Sequence, residues 1–119
     1  MFFAGTSTLY VGNANNPPYG PGGGFGTSGP GLNFGTWYCA AVVFNDPQIS
    51  VYVNGVLSNF DPTYSVSGHT GDGSVNLACF GPAGNLLNGK IAEVYCYAAY
   101  LTAGEILQNF NATKSKYGY

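Results

Sequence analysis

Five carboxylates are the side chains of this chain that could perform acid–base chemistry, and they are scattered along the sequence. They are Asp46, Asp61, Asp72, Glu93 and Glu105. Enzymes that hydrolyse a glycosidic bond use two carboxyl groups held roughly 5 to 10 Å apart. No two of these residues have the i, i+2 or i, i+4 spacing that would place both on one strand. We therefore expect no catalytic residues and no enzymatic activity.

The histidine and the cysteines offer no alternative catalytic or metal site. His69 lies in Ser-Gly-His-Thr-Gly-Asp-Gly, without a local nucleophile and orienting partner. The chain has no CxxC or HxxxH spacing that would indicate zinc. Cys39, Cys79 and Cys96 lie in apolar stretches, which predicts buried reduced thiols, with a Cys39–Cys96 or a Cys79–Cys96 disulfide as alternatives. Residues 24–29 match GxGxxG, but no helix follows to hold a phosphate, so the match is a chance one.

The composition limits the class of partner. Charged residues make up 7% of the chain, and the three lysines, with no arginine, are too few to neutralise a row of phosphates. Nucleic acid is therefore not expected. Hydrophobic residues make up 45%, enough for a small core, but no apolar run approaches the ~18 residues of a membrane span. No basic segment precedes Phe2, so we expect no signal peptide and assembly in the cytoplasm.

Aromatic residues are the best candidates for contact with a neutral partner. A surface with little charge can hold sugar rings by stacking them on aromatic side chains, and the same side chains suit contacts between subunits. We predict that glycans or neighbouring subunits contact four aromatic residues at loop or outward strand positions: Tyr19, Phe25, Tyr52 and Tyr64.

The N-terminal part of the chain is dominated by residues that break regular structure. We expect one domain over residues 1–119, because this length suits a single core. A short strand is predicted over residues 8–11, followed by a Gly/Pro-rich loop over 12–31. The core of that loop, GPGGGFGTSGPG, is not expected to form a regular ladder. Loops of this length are usually functional, so this one is interpreted as an arm that contacts neighbouring subunits.

Apolar and polar residues alternate in the middle of the chain, which predicts strands over residues 37–44, 49–53 and 56–60. The pair Asn54-Gly55 predicts a type I′ turn between the last two. Further strands are predicted over residues 74–80 and 90–97. The inward residues of the first two strands are predicted to be Trp37, Cys39, Ala41, Val43, Ile49, Val51 and Val53.

Residues near the C terminus specify the start of a helix. Thr102 is a suitable N-cap, and Glu105 stands three residues later, where its carboxylate can reach back in a capping box. Leu101 and Ile106 occupy the two positions of a hydrophobic staple. Because Ile106 and Phe110 are four residues apart, they share one face, and the helix is expected to cover a sheet as a lid.

Several of these segments resemble laminin-G-like, concanavalin-A-like jelly-roll domains. NGKIAEV at residues 88–94 and the pattern YxxxLTxxEI at residues 97–106 are similar to a late strand and the helix after it. Trp37 with its following strand and VYVNG at residues 51–55 resemble an earlier hairpin. The resemblance extends from about residue 32 to the end. The tail EILQNFNATKSKYG is similar to copies of this domain in virion proteins of tailed phages.

The resemblance implies an all-β fold, a two-sheet antiparallel jelly-roll sandwich with, in this chain, about six strands and one short C-terminal helix. Members of the family usually have more strands, and exposed sheet edges need to be covered. We therefore hypothesise that a neighbouring chain completes the sandwich. The resemblance also makes calcium the one cofactor to consider. Its candidate ligands are the loop residues Asp46 and Asp72, which could equally be simple turn formers.

These observations predict a non-enzymatic structural or decoration protein of a phage-like virion, assembled in the host cytoplasm. It would act through contacts with other copies of itself or other virion proteins, with weak glycan binding. The alternative is a soluble or secreted, extracellular carbohydrate-binding module of lectin type. Neither reading involves nucleic acid or a membrane.

Overall fold

The computed structural model describes the whole residue over 32–33, 35–64 and 89–118, and the backbone alone over 10–11, 25–26, 79–80 and 85–86. The described strands are β1 (Tyr10–Val11), β2 (Phe25–Gly26), β3 (Ala40–Asn45), β4 (Gln48–Val53), β5 (Val56–Asp61), β6 (Cys79–Phe80) and β7 (Asn85–Leu86). Helix α1 (Ala103–Thr113) is followed by a 3-10 helix, Lys114–Tyr117, which we name the C-terminal turn. The described helical residues do not include a stretch long and apolar enough to cross a bilayer.

The centre of the fold is an antiparallel sheet in the order β3-β4-β5. Strands β6 and β7 pair with each other, as do β1 and β2. The β1–β2 pair corrects the expectation that residues 12–31 contain no ladder, because Phe25 pairs with Val11 and Gly26 with Tyr10. Neither residue of β2 is proline, so both keep the N–H that a ladder requires. The two-sheet sandwich stays a prediction.

Strand β3 begins later than the sequence pattern predicts. The ladder between β3 and β4 ends where Ala40 lies opposite Val53, because β4 enters the β4–β5 turn at that point. Ala40 is buried at 7% exposure. The residues predicted to form the inward stripe of this strand are half-buried instead: Trp37, Cys39, Ala41 and Val43. The register places Val42 opposite Val51 and Phe44 opposite Ile49, so the predicted stripe lies on the other face of the sheet.

Strand β4 supplies the centre of the described core. Ile49 and Val51 are fully buried, as predicted, whereas Val53 is half-buried. Burying a side chain of this size contributes ~1.5–3 kcal/mol relative to leaving it in water. The other buried apolar residues are Ala40, Tyr64 and Ile106.

The turn between β4 and β5 confirms the predicted Asn54-Gly55 hairpin. Both residues have positive φ angles, 51° at Asn54 and 79° at Gly55, as a type I′ turn requires. The Asn54 backbone N–H donates to the Cys39 carbonyl at 2.8 Å, and Asn54 Oδ1 accepts from the Cys39 N–H at 2.9 Å. The Asn54 side chain therefore provides an acceptor for the Cys39 backbone N–H, just beyond the end of the β3–β4 ladder.

The start of α1 confirms the predicted capping box. The backbone N–H of Thr102 donates to Glu105 Oε2 at 2.8 Å, and the Glu105 N–H donates to Thr102 Oγ1 at 3.3 Å. Ile106 is buried and Phe110 half-buried, so the shared face is turned inward. Leu101, the other predicted staple residue, is half-buried just before the cap.

Helix α1 packs on the β4–β5 turn, at the position of Gly55. A Cβ atom at Gly55 would lie 2.9 Å from Leu107 Cδ1 and 3.3 Å from Leu107 Cα. It would also lie 3.2 Å from Phe110 Cδ1. The helix therefore packs on the β4–β5 turn so closely that only glycine fits, while its role as a lid on a sheet stays a prediction.

Residues 90–97 are not a strand, which corrects the sequence prediction. The alternating pattern is present, but in the described part of the chain this segment is paired with no other strand. A strand needs a neighbour to receive its backbone hydrogen bonds, and alternation alone cannot supply one. Side chains of this segment bond instead to α1 and the C-terminal turn.

Candidate functional site

Three tyrosines with exposed rings follow one another between β7 and α1. Tyr95 is 58% exposed, Tyr97 56% and Tyr100 62%. We name this group the tyrosine surface. Most tyrosine rings bury their apolar faces, so three exposed rings within six residues provide an unusual amount of aromatic contact area.

The segment that bears these tyrosines lies beside the helical end of the chain, running in the opposite direction. Tyr97 OH accepts from Asn109 Nδ2 of α1 at 3.3 Å, and Lys116 Nζ of the C-terminal turn lies 3.3 Å from Glu93 Oε1. Four residues of extended chain span ~13 Å. The helical path from Asn109 to Lys116 rises ~12 Å. An extended segment of this length therefore spans both contacts, although residues 93–97 are not in a ladder.

The carboxylate of Glu93 organises one end of this surface. Its Oε2 atom accepts from Tyr95 OH at 2.9 Å, and its Oε1 atom accepts from Lys116 Nζ at 3.3 Å. Hydrogen bonds from Tyr95, then from Tyr117 and Lys116, lower the pKa of Glu93. The bond to Glu93 raises the pKa of Tyr95, because a phenolate would face a carboxylate. Desolvation, followed by Glu93, raises the pKa of Tyr117. At neutral pH the carboxylate is charged and the phenols are neutral.

The two best-defined phenols offer different groups to a ligand. Tyr95 uses its hydroxyl proton to bond Glu93, which leaves its oxygen lone pairs as acceptors. Tyr97 receives a hydrogen bond from Asn109, which leaves its own O–H as a donor. In the described part of the chain, the Tyr100 hydroxyl makes no hydrogen bond. The surface therefore combines apolar ring faces with one fixed acceptor and one fixed donor.

The comparison with known proteins identifies the family. A laminin G family model, described as the concanavalin A-like lectin/glucanases superfamily, matches residues 3–107. The chain belongs to this superfamily.

One solved structure adds support at the level of the fold. The chain is similar to residues 221–444 of an S-layer domain-containing protein from Clostridium thermocellum, with a TM-score of 0.54 and 24% identity. The similarity covers 76% of this chain and 47% of the other, so the superfamily member described here spans about half the length of that structure. No curated protein matches this sequence.

The four aromatic residues predicted to contact glycans or subunits do not form the tyrosine surface of this superfamily member. Tyr64 is only 3% exposed, and its ring packs 6.3 Å from that of Phe44, so the prediction that it is exposed was wrong. Tyr52 is half-buried on β4. Tyr19 lies outside the described residues, and so does the side chain of Phe25 in β2.

The structure describes only Asp46 of the two candidate calcium ligands, so the calcium site stays a prediction. Asp46 lies with Pro47 in the two-residue turn between β3 and β4 and is exposed. Within the described residues, no group of three or more His, Cys, Asp or Glu side chains could hold a metal ion. Asp72 and His69 lie outside the part of the chain that the structure describes. The turn-forming role proposed for Asp46 agrees with its position.

The cysteines differ from the prediction that all three are buried. Cys39 and Cys96 are free thiols, so neither predicted disulfide of Cys96 is present. Cys96 is exposed, because its segment lies outside the sheet. Cys39 is half-buried, and burial raises the pKa of its thiol. The Cys79 side chain lies outside the described residues.

The tyrosine surface was missed because Tyr95 and Tyr97 were assigned to one face of a strand. The useful signal was local: three tyrosines occur within six residues, next to Glu93 and just before a well-capped helix. Alternation does place Glu93 and Tyr95 on one side, as their hydrogen bond requires. What the pattern could not indicate was that this side bonds to a helix and remains partly open to solvent.

Proposed function

We propose that this chain is a non-enzymatic carbohydrate-binding module of lectin type, with the tyrosine surface as its binding site. The observation that supports this proposal is the exposure of Tyr95, Tyr97 and Tyr100, each above 55%. Exposed rings with polar tips suit a ligand that has apolar faces and many hydroxyl groups, which is the chemistry of a sugar. Membership of a superfamily whose description includes lectins agrees with this function.

The absence of hydrolytic activity is part of the proposal, since the superfamily description also includes glucanases. A general acid or base must be able to exchange its proton with a substrate. Glu105 is engaged by the cap of α1, and Glu93 by two tyrosines and Lys116. Asp61 accepts from the Thr63 backbone N–H at 2.8 Å and from its hydroxyl at 2.9 Å. Asp61, Glu93 and Glu105 thus hold their own chain together.

A lectin-type function places the protein where glycans are displayed, so we propose an extracellular or cell-surface location. The solved neighbour from Clostridium thermocellum is named as an S-layer domain-containing protein, which is compatible with this proposal. The nearest alternative is the virion, where a glycan-binding domain would face the host cell.

A glycan array followed by titration calorimetry tests the proposal. The wild-type chain is expected to bind at least one class of glycan, and free sugar should compete. Replacing Tyr95, Tyr97 or Tyr100 by alanine should weaken binding by ~3- to 10-fold each, because an aromatic contact contributes ~0.5–1.5 kcal/mol. Phe60→Ala is the matched control, since Phe60 is a 45% exposed ring on β5. Absence of glycan binding, or equal loss in the Phe60 variant, would contradict the proposal.

Assembly through subunit contacts is the second candidate function, and a different surface favours it. Strand β5 exposes Leu57 at 52% and Phe60 at 45%, and its register places both on the face away from Ile49 and Val51. Monomeric soluble proteins rarely expose large contiguous apolar patches. A structural or decorating role on a phage-like particle would use such contacts. Neither the family description nor the name of the solved neighbour refers to a virion, so this role rests on the resemblance of the tail sequence.

Sedimentation measurements distinguish assembly from lectin function. A self-associating chain should sediment faster as concentration rises, and Leu57→Lys should abolish that dependence by placing a charge at the contact. A chain that remains monomeric at high concentration, yet binds glycans, would leave only the lectin function. The Tyr97→Ala variant is the control here, because it alters the other surface.

We also propose that the β3-β4-β5 sheet is one half of a two-sheet sandwich. Ile49 and Val51 give β4 one fully buried face, as a sheet packed against a second layer has. An experimental structure of the chain, alone or in its assembly, tests this directly. A β3-β4-β5 sheet covered only by α1 would refute the sandwich.

A further inference from the structure

We infer that the ligand of the tyrosine surface is a neutral sugar, and that Glu93 selects it against acidic sugars. This inference rests on the lectin function proposed above and specifies the substrate class of the same site. It follows from the charges beside the rings and from the hydrogen-bonding state of the two tyrosine hydroxyls.

The charges beside the surface favour a neutral ligand. Glu93 and Lys116 form an ion pair with a separation of 3.3 Å, so their formal charges cancel. The Lys116 side chain is 58% exposed and Glu93 28%. An acidic sugar that approached Lys116 would have to compete with the carboxylate already bound there. It would also bring a second negative charge close to the first, which is unfavourable. A neutral sugar has neither difficulty.

The hydroxyl groups of Tyr95 and Tyr97 suit a ligand whose own hydroxyl groups both donate and accept. Tyr95 offers an acceptor because its proton bonds Glu93 at 2.9 Å. Tyr97 offers a donor because its oxygen receives the Asn109 amide at 3.3 Å. A sugar hydroxyl can both donate and accept, so the hydroxyl groups of a sugar can donate to Tyr95 and accept from Tyr97. An ionised carboxylate only accepts, so it can bond Tyr97 but not Tyr95.

Glu93 is therefore a positioning and specificity residue in this inference. It acts by fixing the direction of the Tyr95 hydroxyl and by neutralising Lys116. Glu93→Gln changes both the orientation of the Tyr95 hydroxyl and the charge balance at Lys116. The variant leaves Lys116 uncompensated, which should attract acidic sugars, and it weakens the hydrogen bond that orients Tyr95.

The experiment compares a neutral glycan with its acidic counterpart. The tightest neutral oligosaccharide from the array is titrated beside the same oligosaccharide with a uronic acid in place of one hexose. We expect wild type to prefer the neutral ligand by at least tenfold. Tyr95→Phe and Tyr97→Phe keep the rings but lose one hydroxyl each, and should weaken neutral binding about threefold or more. Glu93→Gln should reduce the neutral preference severalfold.

The matched control is Asp46→Asn, which changes the net charge by the same amount as Glu93→Gln but lies in the β3–β4 turn. It should leave the neutral preference unchanged. Equal affinity of wild type for the two ligands, or wild-type affinity in both phenylalanine variants, would overturn the inference while leaving a lectin function intact. Failure of wild type to bind any glycan would overturn the proposed function, and this inference with it.

Discussion

Gly55 is the residue where the conformation of the chain and the packing of the helix both exclude a side chain. Its φ angle of 79° is unfavourable for any residue with a Cβ atom. The same Cβ would meet Leu107, whose Cα would be only 3.3 Å away and cannot rotate aside. The hairpin therefore depends on glycine for two independent reasons.

We predict that Gly55→Ala lowers the free energy of unfolding by ~2 kcal/mol or more, because it adds a steric clash to the cost of a positive φ angle. Gly35→Ala is the matched control. Gly35 has a φ angle of 74°, but a Cβ there would have no atom within 4 Å. Urea denaturation of both variants measures the difference. Equal losses would mean that α1 shifts away from the turn at no cost.

The two described thiols are expected to react at different rates in the native protein. Cys96 is exposed, whereas Cys39 is half-buried with a raised thiol pKa, and the thiolate is the reactive form. Brief treatment with iodoacetamide at pH 8, followed by peptide mapping, should therefore label Cys96 first. Under denaturing conditions the two should react alike. Faster native labelling of Cys39 would contradict the arrangement of residues 90–97.

At the scale of the element, α1 depends on a charged cap. The backbone N–H of Thr102, followed by its hydroxyl, lowers the pKa of Glu105 from the ordinary value of 4.5. A lowered pKa in the folded state means that the carboxylate stabilises the fold above pH 4.5. This stabilisation is lost as the pH falls through the lowered folded value.

We therefore predict that the wild-type chain loses stability below pH 4.5, and that Glu105→Gln loses less over the same range. At neutral pH the variant should be less stable, and the two curves should converge in acid. Thr102→Ala removes only the two hydrogen bonds of the hydroxyl and keeps the backbone N–H bond to Glu105. It should therefore keep part of the pH dependence while costing ~1 kcal/mol at neutral pH. Denaturant titrations at several pH values measure these slopes. Parallel curves for wild type and Glu105→Gln would contradict the role of the cap.

The elements that could be predicted from the sequence are those set by neighbouring residues. The capping box needs only Thr102 and Glu105, and the hairpin needs only Asn54 and Gly55, because each motif satisfies its own backbone locally. The strand over residues 90–97 failed because a strand also requires a distant partner, which alternation does not specify.

In the candidate site, too, local sequence features could be predicted but contacts between distant residues could not. The amount of tyrosine was evident from the sequence, but which rings are exposed was not. Tyr64 is buried against Phe44, twenty residues earlier, while Tyr97 bonds Asn109, twelve residues later. Solvent exposure is decided by such contacts between distant parts of the chain, and no local pattern reports them.

At the scale of the whole molecule, the C-terminal turn joins parts of the chain that are distant in sequence. Tyr117 packs its ring 5.8 Å from that of Trp37, just before β3, and also bonds Glu93. Lys116 adds its ion pair with Glu93. The turn thus holds the segment of the tyrosine surface and the approach to β3 at one end of α1.

Trp37 is the single tryptophan of the chain, so its fluorescence should report docking of the C-terminal turn. We predict that Tyr117→Ala shifts Trp37 emission to longer wavelength, because the indole loses its ring partner and gains contact with water. Far-UV circular dichroism should retain the α1 signal. Tyr100→Ala, which removes an exposed ring elsewhere, is the control and should leave the emission unchanged. An unshifted spectrum in Tyr117→Ala would show that the turn is not docked in solution.

The close approach of α1 to the hairpin also has a consequence for how this sequence can change over time. Positions 55 and 107 share one small volume, so the effect of a mutation at either depends on the residue at the other. A smaller residue at 107 would relieve the contact with Cδ1 but not the contact with Cα, and would leave the backbone requirement at 55 untouched. Glycine at 55 is therefore expected to persist while position 107 drifts among aliphatic residues, a one-sided form of epistasis.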